Sequence, residues 1–65
     1  FRNMDERLEF YLKRHAGKTN KKFVELSHQQ IADDLNSSRE VISRLLKKME
    51  QRHLVKLHRN MIELV

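Results

Sequence analysis

Sixty-five residues allow one small domain with a thin core, near the lower size limit for folding without staples. The absence of cysteine removes disulfides, thiol chemistry and thiolate-bound zinc, and fits a reducing compartment. The net charge of +5 is unevenly spread: residues 39 to 59 carry seven Lys and Arg against two Glu, the electrostatic footprint of a polyanion partner.

The chain opens at Phe1 without an initiator Met and reads as a piece of something longer. Met4, Leu8, Tyr11, Leu12 and His15 form one apolar stripe at helical spacing. Asn3 is placed to cap that helix, with Glu6 at the third helical position, and Gly17 to stop it in the left-handed conformation. Phe10 falls on the wrong side of the stripe and is expected at the surface. Residues 18 to 22 are polar and basic and read as a loop. The apolar, β-branched run from Phe23 to Leu26 then reads as a brief strand.

Ser27 followed three residues later by Gln30 is a capping-box pattern. It predicts a short helix through Leu35 that buries Ile31, Ala32 and Leu35. Asn36 comes next, a residue that tolerates left-handed backbone better than most. Ser37 with Glu40 makes a second capping box and opens a long helix to Arg52. Two helices joined so closely must cross sharply, which is a helix-turn-helix. Ala32 supplies a small residue where they approach, and Ile42 points back into the angle. In the long helix Ile42, Leu45, Leu46 and Met49 fall on one face with Val41 at the margin. Arg39, Glu40, Ser43, Arg44, Lys47 and Gln51 fall on the other.

After His53, the runs 54–57 and 61–65 are short apolar strands around a turn at His58-Arg59-Asn60. Their imperfect alternation leaves the register open. The expected architecture is a mainly helical winged helix-turn-helix, with three helices and a C-terminal β-hairpin, over a single domain of residues 1–65.

The string L-S-H-Q-Q-I-A-D-D-L-N-S-S-R-E-V-I-S-R-L-L-K-K-M-E, followed by H-L-V-K-L-H-R-N-M-I-E-L, resembles the C-terminal DNA-binding domain of the cyclic-AMP receptor protein and fumarate-nitrate reduction regulator (Crp-Fnr) family. The likeness covers nearly the whole chain and is strongest from Leu26 to Leu64. Its most specific part is R-E-V-I-S-R, which holds both an Arg-Glu pair with a second Arg and a Glu-x-x-Ser-Arg. Family members use both arrangements to read base edges. His53 stands where many relatives carry Gly, and Arg59-Asn60 replaces a glycine-containing wing turn.

The resemblance implies sequence-specific binding of double-stranded DNA, with residues 38–51 as the recognition helix in the major groove. Arg39 and Arg44 are then the guanine readers, since an Arg fork reaches both of guanine's acceptors. Glu40 suits the cytosine amino donor, and Ser43 is uncommitted between donor and acceptor. As the third residue of a capping box, Glu40 has an equally good alternative role facing the backbone of Ser37. Ser27, His28, Gln29, Ser38, Lys47, His58 and Arg59 are implied phosphate contacts, which set register while base contacts set sequence. The bland reading of the cationic side chains is a solvated helix face.

The four histidines are scattered and lack a metal-ligand spacing, so no metal is expected, and no cofactor in this domain. Asp33-Asp34 reads as an exposed helix end away from DNA. An enzyme lacks its parts: no nucleophile–base pairing, no Gly-rich phosphate loop and one glycine in all. The competing reading is a winged helix used for protein–protein contact. No apolar run approaches a membrane span and no signal-peptide pattern appears, so the expected site is cytoplasmic, without a membrane partner. The resemblance further implies an inverted-repeat operator, a homodimeric parent protein that contacts RNA polymerase, and a monomeric fragment.

Overall fold

The computed structural model describes residues 3–19 and 22–65, in the order α1 (Met4–Thr19), β1 (Phe23–Val24), α2 (His28–Asp34), α3 (Arg39–Gln51), β2 (Val55–His58) and β3 (Met61–Leu64). Three helices and a small antiparallel sheet make the expected winged helix-turn-helix. The expected hairpin forms between β2 and β3, and β1 adds a third strand to it. Here β3 lies in the middle, with β2 on one side and β1 on the other, through Phe23 opposite Glu63 and Val24 opposite Ile62.

α1 begins as its sequence dictates, with the Glu6 N–H donating to Asn3 Oδ1 at 3.0 Å. It ends later than expected. Gly17 does not adopt the left-handed conformation, and the helix runs through it to Thr19. Glycine in a helix costs about 1 kcal/mol against alanine but does not forbid continuation, and Lys18 sits favourably against the C-terminal end of the helix dipole. The loop expected over residues 18–22 is thus shortened, and its residues 20–21 lie outside the described residues.

The core is one cluster. Leu8, Leu12 and Ala16 of α1 meet Ile31, Ala32 and Leu35 at α2, Ile42, Leu46 and Met49 of α3, and Val24, Val55 and Ile62 of the sheet. Leu45 is only half-buried and Val41 is exposed at the margin, as the helical wheel requires. Among the described residues no polar or charged side chain is buried. Each fully enclosed Leu or Ile contributes about 1.5–3 kcal/mol relative to exposure. The buried α3 face therefore fixes the rotation of that helix, and with it the direction of Arg39, Glu40 and Arg44.

The turn between α2 and α3 is built by the backbone. Asn36 is left-handed at φ 56°, its N–H donates to Asp33 O, and the Ser37 N–H donates to Ala32 O at 2.8 Å. These two bonds satisfy the last carbonyls of α2. They also draw Ser37 into the turn, so the expected second capping box at Ser37 does not form. The cap is Ser38, whose Oγ accepts from the Val41 N–H at 3.2 Å. Glu40 consequently occupies the second helical position rather than the third.

The same device ends α3. His53 is left-handed at φ 61°, with its N–H on Glu50 O and the Leu54 N–H on Met49 O, both at 3.0 Å. The imperfect alternation of the wing also resolves here. β2 starts at Val55, not Leu54, so Val55 and Leu57 face inward while Lys56 and His58 face out. His58 belongs to the strand, and only Arg59 and Asn60 form the turn, with Asn60 at φ 59°. β2 is an edge strand, and Glu50 of α3 covers part of that edge by accepting from the Leu57 N–H at 2.9 Å.

Candidate nucleic-acid interface

α2 and α3 each present an N-terminus capped by serine. Ser27 Oγ accepts from the Gln30 N–H at 3.1 Å, as Ser38 Oγ does from Val41. Each serine accepts with its oxygen and keeps its hydroxyl proton to donate, which suits an anion placed at a helix start.

Two clefts gather most of the expected residues. One is an open depression lined by Ser38, Arg39, Glu40, Ser43 and Arg44, which contains all four candidate base readers. The other, of about 260 Å³, lies between the start of α2 and the wing. Ser27, His28, Gln29 and His58 line it together with Leu26, Asn60, Met61 and Arg39. Arg39 belongs to both. Lys47 and Arg59 line neither cleft: Lys47 is exposed further along α3, and Arg59 sits at the tip of the wing. Asn60 was missed as a lining residue. Its signal was in the sequence, because a tight turn that needs a left-handed residue there fixes where the wing tip points.

Several side chains already have partners. His28 Nδ1 lies 2.8 Å from Ser43 Oγ, joining the first residue of α2 to the middle of α3. Burial lowers the His28 pKa below its ordinary 6.5, and the Arg39 charge lowers it further, so both favour the neutral ring. Gln29 Nε2 donates to Asp33 Oδ1 at 2.9 Å, one turn along α2. His58 Nε2 lies 2.9 Å from Glu63 Oε1 across the wing.

The acidic end of α2 is divided. Asp34 accepts from the Tyr11 hydroxyl and so turns toward α1, while Asp33 stays with Gln29. Burial, followed by the Asp34 bond and charge, pushes the Tyr11 phenol well above its usual pKa. Arg7 Nη2 donates to Leu35 O at 3.3 Å, meeting the C-terminal end of α2 with a cation. α1 thereby orients α2, and α2 orients α3.

Residues 6–65 match the family model described as the Crp-like helix-turn-helix domain. The chain belongs to that family. It is a DNA-binding module of the transcription-regulator type and not an enzyme. Among solved structures, it is similar to a protein from Eubacterium rectale assigned to the Crp/Fnr family of transcriptional regulators. The two share 32% identity with a TM-score of 0.94, over 97% of this chain and 29% of that one. It is also similar in fold to the Thermus thermophilus catabolite activator protein, at 21% identity and a TM-score of 0.85, over 94% of this chain and 29% of that one. The chain thus spans under a third of the length of either protein. No curated protein sequence matches it. Among the described residues, no helix is long and apolar enough to cross a membrane.

Proposed function

We propose that the chain is the sequence-reading domain of a Crp/Fnr-type transcription regulator, with α3 entering the major groove of double-stranded DNA. The supporting observation is the shared depression of Arg39, Glu40, Ser43 and Arg44, opposite the face that Ile42, Leu46 and Met49 fix in the core. Arg39 and Arg44 take guanine, Glu40 takes the cytosine amino group, and Ser43 reads one further base. The displaced cap strengthens the role of Glu40, because Ser38 rather than Ser37 closes the helix start and leaves the Glu40 carboxylate exposed. Ser27, His28, Gln29, Ser38, Lys47, His58 and Arg59 hold the phosphates on either side, which fixes register.

The intact regulator is a homodimer whose two α3 helices lie about 34 Å apart, one turn of DNA, on an inverted repeat. Contact with RNA polymerase belongs to that intact protein, and the domain by itself is a monomer. Selection of bound sequences from random duplex DNA with the intact regulator tests the reading. A preferred inverted repeat containing G·C pairs is expected. Binding without sequence preference, lost in moderate salt, would reduce the domain to a nonspecific polyanion binder.

A further inference from the structure

One contact in the interface joins a residue of the phosphate set to a residue of the reading set. His28 Nδ1 and Ser43 Oγ are 2.8 Å apart, and both side chains are half-buried. A serine hydroxyl has one proton and two lone pairs, so its partner decides what it offers a base. Where Nδ1 is unprotonated, Ser43 donates to it, and the oxygen faces the groove with lone pairs only. Where Nδ1 carries a proton, Ser43 must accept, and its own proton is turned outward.

The cleft beside His28 sets which of these holds. It is lined by Ser27, Gln29, Arg39 of α3 and His58 of the wing, the last already placed against Glu63. Burial of the ring, and then the permanent Arg39 cation there, disfavour a positive charge on His28. A neutral ring has one N–H. If that proton sits on Nε2, as a contact to a DNA phosphate requires, Nδ1 is left as an acceptor.

We propose that His28 is a specificity-determining positioning residue, which by holding the Ser43 hydroxyl makes Ser43 an acceptor that selects a base bearing an amino group, adenine or cytosine. A phosphate contact at one end of the imidazole is thereby relayed to a base choice at the other. The proposal rests on the reading of Ser43 as a base contact. Protonation of His28 forces both nitrogens to donate, reverses the Ser43 hydroxyl and favours guanine or thymine at the same pair.

The test is a set of base profiles for the full chain and for Ser43→Ala, His28→Ala and the double variant, on the selected operator and its single-pair changes. Ser43→Ala is expected to lose discrimination at one pair per half-site, by roughly fivefold, the low end for a base contact. His28→Ala is expected to lose it at the same pair, and the double variant to lose no more than either alone. The unmodified protein is compared at pH 8 and at a pH below the ordinary histidine value of 6.5 low enough for the His28 ring resonances to show it protonated. Its acid profile should weaken or invert at that pair only. The pH arm needs no substitution, so it decides the matter even where His28→Ala fails to fold. His28→Ala binding all sequences equally less well, with a pH-independent profile at the Ser43 pair, would leave His28 a phosphate contact only and overturn the proposal. A Ser43→Ala profile identical to the parent's would overturn both the proposal and the reading of Ser43 as a base contact.

Discussion

The left-handed residue after α3 offers a direct test of how this turn is held together. His53 sits at φ 61°, between the Glu50 and Met49 carbonyl bonds that close the helix, and its side chain is exposed. A β-carbon in this conformation costs about 1–2 kcal/mol. Glycine removes that cost but returns about 0.4–1 kcal/mol through the greater freedom of the unfolded chain. His53→Gly should therefore stabilise the domain by about 0.5–1 kcal/mol, the surplus of the first effect over the second. For a domain of this size that is a rise in Tm of about 2–8 °C. Thermal melting followed by helical circular dichroism reads it. His53→Ala is the control, because it keeps the β-carbon and should melt close to the parent. A His53→Gly variant that melts lower, or no differently from His53→Ala, would refute the strain argument. It would mean that the imidazole makes a compensating contact.

Two further expectations concern the caps and the α1–α2 contact. Ser38→Ala should cost about 0.5–2 kcal/mol by urea denaturation, whereas Ser37→Ala should stay within about 0.5 kcal/mol, because Ser37 contributes only its backbone N–H. The reverse order would restore Ser37 as the cap. Tyr11 is the sole tyrosine, so its phenolate absorbance reports one group. Its folded pKa lies above the ordinary 10.0, so the neutral phenol favours the fold. That contribution is complete below pH 10 and is lost as pH rises toward the folded value. Titration near 10 in the folded protein would deny both the burial of the phenol and its bond to Asp34.

Local patterns told most of the helical core. Ile31, Ala32 and Leu35, then Ile42, Leu46 and Met49, are buried where their spacing placed them, and Ser27 caps α2 as its sequence indicates. The second cap was one residue off for a definable reason. Two serines stand side by side, and the glutamate three residues after Ser37 favoured the wrong one. The bonds of the preceding turn consume Ser37, and a capping pattern does not contain that information. Gly17 misled because a glycine near a helix end permits a stop without compelling it. The pairing of β1 with β3 joins residues such as Val24 and Ile62, far apart in the chain, and neither strand carries a local mark of it. The same holds for His28 and Ser43: the family resemblance implies a DNA contact for each, but their contact with each other appears only when α2 crosses α3.

The central claim is that α3 reads bases while the wing holds the backbone, and one paired measurement bears on it most directly. Base profiles and salt dependence are compared for Arg44→Ala and Arg59→Ala in the intact regulator. Arg44→Ala should abolish preference at one G·C pair in each half-site, a loss of about 1–3 kcal/mol in discrimination, with the melting temperature unchanged. Arg59→Ala should leave the profile intact and weaken all sequences equally, lowering the log–log salt slope by about one. A parental profile for Arg44→Ala, or an altered one for Arg59→Ala, would contradict this division between helix and wing.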